Sequence, residues 1–159
     1  MNTVDILKYG QQTVLTTFKQ FPEAEVNRPG ACGVWSVKDI MAHLASYEHL
    51  LVEVLSGFLE GGSTPYLEKW GALGLKFNDD EVARRQEKSM ADVLAEYNDT
   101  HTQAMALAPR IPAETYRQNG ALPWYGEEYD LGDFIVYTFY GHKREHSAQI
   151  AAFRDQLTQ

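Results

Sequence analysis

The sequence predicts an all-α fold, a four-helix bundle with two long connections. Three observations carry this prediction. Apolar residues recur every three or four positions along four long stretches. Strand-type alternation of apolar and polar residues is scarce. Prolines, glycine pairs and short polar residues fall where such helices would stop and start.

The first helix is expected from about Thr3 to Phe21, with Ile6, Leu7, Gly10, Val14, Phe18 and Phe21 near helical spacing. Phe21-Pro22 ends it, because the residue before proline is pushed out of the helical region. The link from Glu23 to Trp35 reads as a structured loop. Ser36 is the expected N-cap of the second helix, with Asp39 three residues on as an acidic capping-box partner. Ile40, Leu44, Tyr47, Leu50, Leu51, Val54 and Phe58 form its stripe, and Gly61-Gly62 stops it.

Ser63 to Asp79 is too apolar for a free linker and is expected to pack over the helices. The third helix is expected from Asp79 or Asp80 to about Ala108, with Ala83, Met90, Leu94, Tyr97 and Met105 inward. Pro109 to Tyr129 is the second long connection, rich in aromatic residues. The fourth helix opens at Asp130, again with an aspartate three residues later, and runs to about Leu157.

At 159 residues and 44% hydrophobic, the chain suits a single domain, 1–159, with its own core. No stretch approaches the ~20 apolar residues needed to cross a bilayer. The polar start MNTVDILKYGQQ lacks the pattern of a signal peptide, so a cytoplasmic location is expected. The lone Cys32 excludes an intrachain disulfide and cysteine-rich zinc sites. A formal charge of −8, with Arg84-Arg85 and Lys143-Arg144 the densest basic clusters, argues against nucleic acid and membrane surfaces as partners.

The histidines carry the functional signal. A helix turns ~100° per residue, which puts Val54 and Leu50 within roughly 20° of His43, and Tyr47 within roughly 40°. His43 therefore belongs to the core stripe. His49 falls roughly 120° away and is expected to face solvent. On the fourth helix His142, His146 and Gln149 form one ridge, on the side of Ile135, Phe139, Ile150 and Phe153. Imidazoles on an apolar face need partners. A carbonyl or carboxylate can serve each one singly; a metal ion serves several at once. Three histidines make an open metal site, for which zinc or nickel is suited and iron is not set aside. His101 aligns with Met90, Leu94 and Met105, and is expected in the core or beside the site rather than as a fourth ligand.

GVWSVKDIMAHL and YGHKREHSAQI together resemble the DinB-like, or YfiT-like, superfamily of bacterial four-helix bundles. The matching positions are Trp35, Ser36, Asp39, His43, Leu44, His142 and His146. ACGVWSVKDIMAHL, KFNDDEVARRQEKSMADVLAEY and the H-x-x-E-H form of the last motif look like its DfsB/ClbS-type branch. The resemblance implies a divalent metal on His43, His142 and His146, and often a homodimer. Some relatives are transferases or isomerases using low-molecular-weight thiols, others hydrolases or protective proteins. The family name does not imply DNA binding.

Around such a site Glu145 is the candidate acid/base, against the alternative of a solvated helix charge. Asp39 could orient His43 or simply cap the helix. Tyr47 could donate its hydroxyl, or serve as a core aromatic. Cys32 is expected to pack as a small residue rather than act as a nucleophile. Trp70 and Trp124 either roof the site or close the ends of the bundle. The leading expectation is a metal-dependent hydrolase or thiol-dependent transferase acting on a small electrophilic substrate, with detoxification or stress protection as the expected setting. The alternatives are a non-catalytic protein that sequesters a small molecule in the same cavity, and a metal-independent structural bundle.

Overall fold

A computed structural model describes residues 2–159. The chain is all-helical. Among the described residues the sole β-type pairing is an isolated bridge between Cys32 and Trp35. The α-helices are α1 (Thr3–Lys19), α2 (Val37–Gly57), α3 (Pro65–Leu73), α4 (Lys76–Ala83), α5 (Met90–Leu107), α6 (Leu131–Ile135) and α7 (His142–Leu157). A π-helical turn, Val136–Gly141, joins α6 to α7. No helix among the described residues is long and apolar enough to cross a membrane.

The expected caps are present. Ser36 Oγ accepts from Asp39 N at 3.1 Å, and Asp39 Oδ2 accepts from Ser36 N at 2.9 Å. Asp130 and Asp133 make the same reciprocal pair at the start of α6. Each pair satisfies amide groups that the first helical turn leaves free.

The third helix departs from expectation. It begins at Met90, not near Asp79, and the residues before it form the separate helix α4. Ser89 caps α5 by accepting from Asp92 N at 3.1 Å. Arg85 holds the corner between α4 and α5: it donates to Glu81 Oε2 at 2.6 Å and to Glu96 Oε2 at 2.7 Å, and it is 5% exposed. The segment expected to pack over the helices supplies α3 and the start of α4. Phe77 from α4 is fully buried, as expected for a covering segment.

α2 packs most closely on α5, and α1 on α7 and the π turn. The two helix pairs enclose two apolar clusters. One gathers Leu7, Leu50, Leu51, Val54, Phe77, Phe134 and Phe139. The other gathers Val14, Ile40, Met41, Leu44, Tyr97, Ile150 and Phe153. Between them every long helix contributes buried polar residues: Gln11 from α1, Ser46 and Glu48 from α2, Thr100 and His101 from α5, and Lys143, His146 and Ser147 from α7. Lys143, half of a basic pair in the sequence, is therefore part of the interior.

His49 does not face open solvent. Its ring stacks on Tyr66 with centroids 4.6 Å apart, and its Nε2 lies 2.8 Å from Glu96 Oε2. Burial opposes ionisation of Glu96, but hydrogen bonds from His49, Arg85 and Lys88 outweigh it and hold the carboxyl below its ordinary range. Glu81 is shifted the same way: burial raises it, and Lys69 and Arg85 more than offset that. Ion pairing at both glutamates thus stabilises the fold above about pH 4.5, and the contribution is lost as pH falls through the lower folded values. Arg85→Met would leave both carboxylates short of a partner. It is expected to cost about 3–5 kcal/mol in urea denaturation at pH 7, with a smaller loss at acid pH.

Candidate metal centre

Helix α2 brings His43 to the interior, and α7 brings His142 and His146. His142 Nε2 lies 2.9 Å from His43 Nε2 and 2.8 Å from His146 Nε2. One ring nitrogen from each falls within 4.8 Å of the others, a grouping able to hold a metal ion. His43 is 2% exposed and His146 6%. The π turn sits immediately before His142, so the face presented by α7 differs from that of a regular continuation of α6. Gly141 suits this turn, because a Cβ there would lie 3.3 Å from the Val136 carbonyl oxygen.

The outer ring nitrogens determine what the inner ones can do. His146 Nδ1 is 2.8 Å from Gln149 Oε1, an atom that can only accept, so Nδ1 carries the proton. That leaves the His146 Nε2 lone pair facing His142 Nε2 across 2.8 Å. His142 Nε2 also faces His43 Nε2 at 2.9 Å, so three ring nitrogens converge where a cation would find imidazole ligands. His43 Nδ1 is buried without a hydrogen-bond partner.

Electrostatics keep these rings neutral. Burial, then His142 and His146, push His43 down to about 2. Burial and His146 lower His142 to about 4, against the Thr138 hydrogen bond. Burial lowers His146 as well, against Gln149 and Glu145. Neutral imidazoles are the ligating form.

Aromatic rings wall the centre. Trp35 lies 5.0 Å from the His43 ring, and Tyr47 lies 4.8 Å from His43 and 4.9 Å from His142. The Tyr47 hydroxyl donates to Asn78 Oδ1 at 3.0 Å. Glu145 is exposed. With Tyr47, Tyr137, Thr138, Gly141 and His142 it lines an open cavity of about 260 Å³. The two candidate acid/base residues thus share one mouth with a site histidine.

The other candidates separate. Asp39 caps α2 and accepts from Gln86 Nε2 at 2.9 Å, so its hydrogen bonds go to the cap rather than to His43. His101 Nδ1 faces Glu48 Oε2 at 3.3 Å in the buried polar layer and is not among the grouped histidines. Burial and the Glu145 charge push the Cys32 thiol up, against a hydrogen bond from Gln149. A raised thiol pKa disfavours the nucleophilic thiolate. Trp124 packs edge-on to Phe134 at 5.3 Å and to Trp70 at 5.7 Å. Sequence spacing placed Gln149 on the histidine ridge but carried no sign of its hydrogen bond to His146, nor of Asn78.

A family model described as the DinB superfamily matches residues 6–150. The chain belongs to the DinB superfamily. The match spans all three histidines and both long connections. No curated protein matches the chain significantly, and no solved structure does. The DinB superfamily assignment and the clustered imidazoles agree on a protein able to bind a metal.

In the metal-free protein all three imidazoles are expected to be neutral at pH 7, with Nδ1 protonated on His146. Their folded values lie below the ordinary 6.5. They therefore add stability above about pH 6.5 that is lost as pH falls through their lower folded values. An NMR titration of the ring protons checks this; a site histidine titrating at an unperturbed position would contradict it.

Proposed function

We propose that this DinB superfamily protein is a metal-dependent enzyme whose divalent ion is held by Nε2 of His43, His142 and His146. One observation carries the reading: Nε2 of His142 lies 2.9 Å from Nε2 of His43 and 2.8 Å from Nε2 of His146, so the three rings converge closely enough to hold an ion. Zinc or nickel suits three neutral imidazoles, and iron is compatible with them. When bound, such an ion polarises a carbonyl and acidifies a ligated water or thiol.

The chain's own residues supply the rest. Glu145 stands at the mouth beside His142, where it can take up or release a proton. Tyr47 packs against two of the rings and is held by Asn78, which orients the wall of the cavity. Trp35 shields His43 from water. The reaction class is hydrolysis or thiol-dependent transfer on a small electrophile, in keeping with the resemblance to the DfsB/ClbS-type branch. We further read the chain as a single four-helix-bundle domain, cytoplasmic and homodimeric, with a role in detoxification or stress protection.

A second reading is sequestration of a small molecule in the same cavity without turnover. The engagement of the Tyr47 hydroxyl by Asn78 favours it, since that group is not free to serve substrate.

Elemental analysis of protein purified without added metal should find about one divalent ion per chain, lost in a His43→Ala/His146→Ala variant. Equal, substoichiometric metal in both proteins would sink the proposal. Glu145→Gln is expected to keep the ion while lowering turnover of an electrophile panel about 10²- to 10⁴-fold. Binding without turnover, indifferent to Glu145, would favour sequestration.

A further inference from the structure

The polar layer beside the histidines contains a buried ion pair. Glu48 on α2 is 0% exposed and Lys143 on α7 is 2% exposed. Lys143 Nζ contacts Glu48 Oε1, while Glu48 Oε2 faces His101 Nδ1 of α5 at 3.3 Å. Gly10 on α1 makes room for the lysine: a Cβ there would lie 3.5 Å from Lys143 Cδ and from the Tyr140 ring, so a longer side chain would run into both. The ammonium also lies 5.4 Å from the Tyr97 ring centroid.

This is a costly arrangement for fold stability alone, because desolvating two charges offsets most of their attraction. Its location is informative. Lys143 is the residue after His142, and Glu48 lies five residues beyond His43. The pair joins the same two helices as the imidazoles. Those helices belong to different close-packed pairs, α2 with α5 and α1 with α7. Close backbone packing therefore does little to set His43 against His142 and His146; long buried side chains must do so. Burial opposes ionisation of Glu48, but Lys143 and His101 outweigh it, which keeps the carboxylate available for both contacts.

We propose that Lys143 and Glu48 are positioning residues, which lock the register of α7 against α2 so that His142 and His146 meet His43. The consequence for metal affinity rests on the function proposed above; the consequence for ring geometry does not.

The test uses Lys143→Met, Glu48→Gln and the double variant Glu48→Gln/Lys143→Met, in the full chain. The single variants each leave a buried charge or polar group short of its partner and are expected to lose stability. The double variant removes both charges and is expected to fold, checked by circular dichroism and urea denaturation. Two readouts follow. In the metal-free protein, NOEs between the His43 ring and the His142 and His146 rings should weaken or vanish in the double variant. Zinc affinity, by competition with a chromophoric chelator, should fall about 10- to 100-fold even where stability has returned. Wild-type ring NOEs in a folded double variant would overturn the proposal, as would wild-type zinc affinity there. If the wild type binds no zinc while the variants lose the ring NOEs, the positioning role stands and the metal function fails. If the double variant does not fold, the NOEs of the folded fraction of each single variant decide the question in the same way.

Discussion

Burying three imidazoles in one place is the constraint on which the remaining structure depends. An imidazole taken out of water needs partners for two ring nitrogens, and three rings sharing a pocket compete for them. Gln149 settles the outer nitrogen of His146. The inner nitrogens are left facing one another. Depressed proton affinity follows from burial and mutual proximity, so protonation does not relieve the crowding near neutral pH. A divalent cation is the partner whose chemistry fits that residue.

The fold is arranged around this demand. Two apolar clusters supply the favourable burial, and the polar layer lies between them, away from the helix ends. A buried polar layer is tolerable only where its members satisfy one another. Here the Glu48 carboxylate lies against Lys143 and His101 on one side, and Gln149 partners His146 on the other, while His43 Nδ1 is left without a hydrogen-bond partner. An open cavity flanks the site where Tyr47, Tyr137 and Glu145 meet His142.

Much of this is legible in the amino-acid sequence. Helical spacing places His43, His142 and His146 on inward faces because a buried stripe repeats with the helix period. The Ser36/Asp39 and Asp130/Asp133 starts are legible because capping is local chemistry. What escapes is tertiary. The break between α4 and α5 carries no proline or glycine; Arg85 fixes it through Glu81 and Glu96, which only folding brings together. Lys143 reads only as half of a basic pair, and its counter-charge, Glu48, comes from another helix. His49 reads as solvent-facing on its own helix and finds Tyr66 and Glu96 on two others. The π turn before His142 leaves only Gly141 as a trace.

X-ray absorption at the metal edge of the purified protein tests the central claim most directly. It should show a divalent ion at about one per chain, with three imidazole nitrogens among its ligands. It should also show loss of imidazole scattering in the His43→Ala/His146→Ala variant. An ion without imidazole ligands, or one retained unchanged in that variant, would contradict the account.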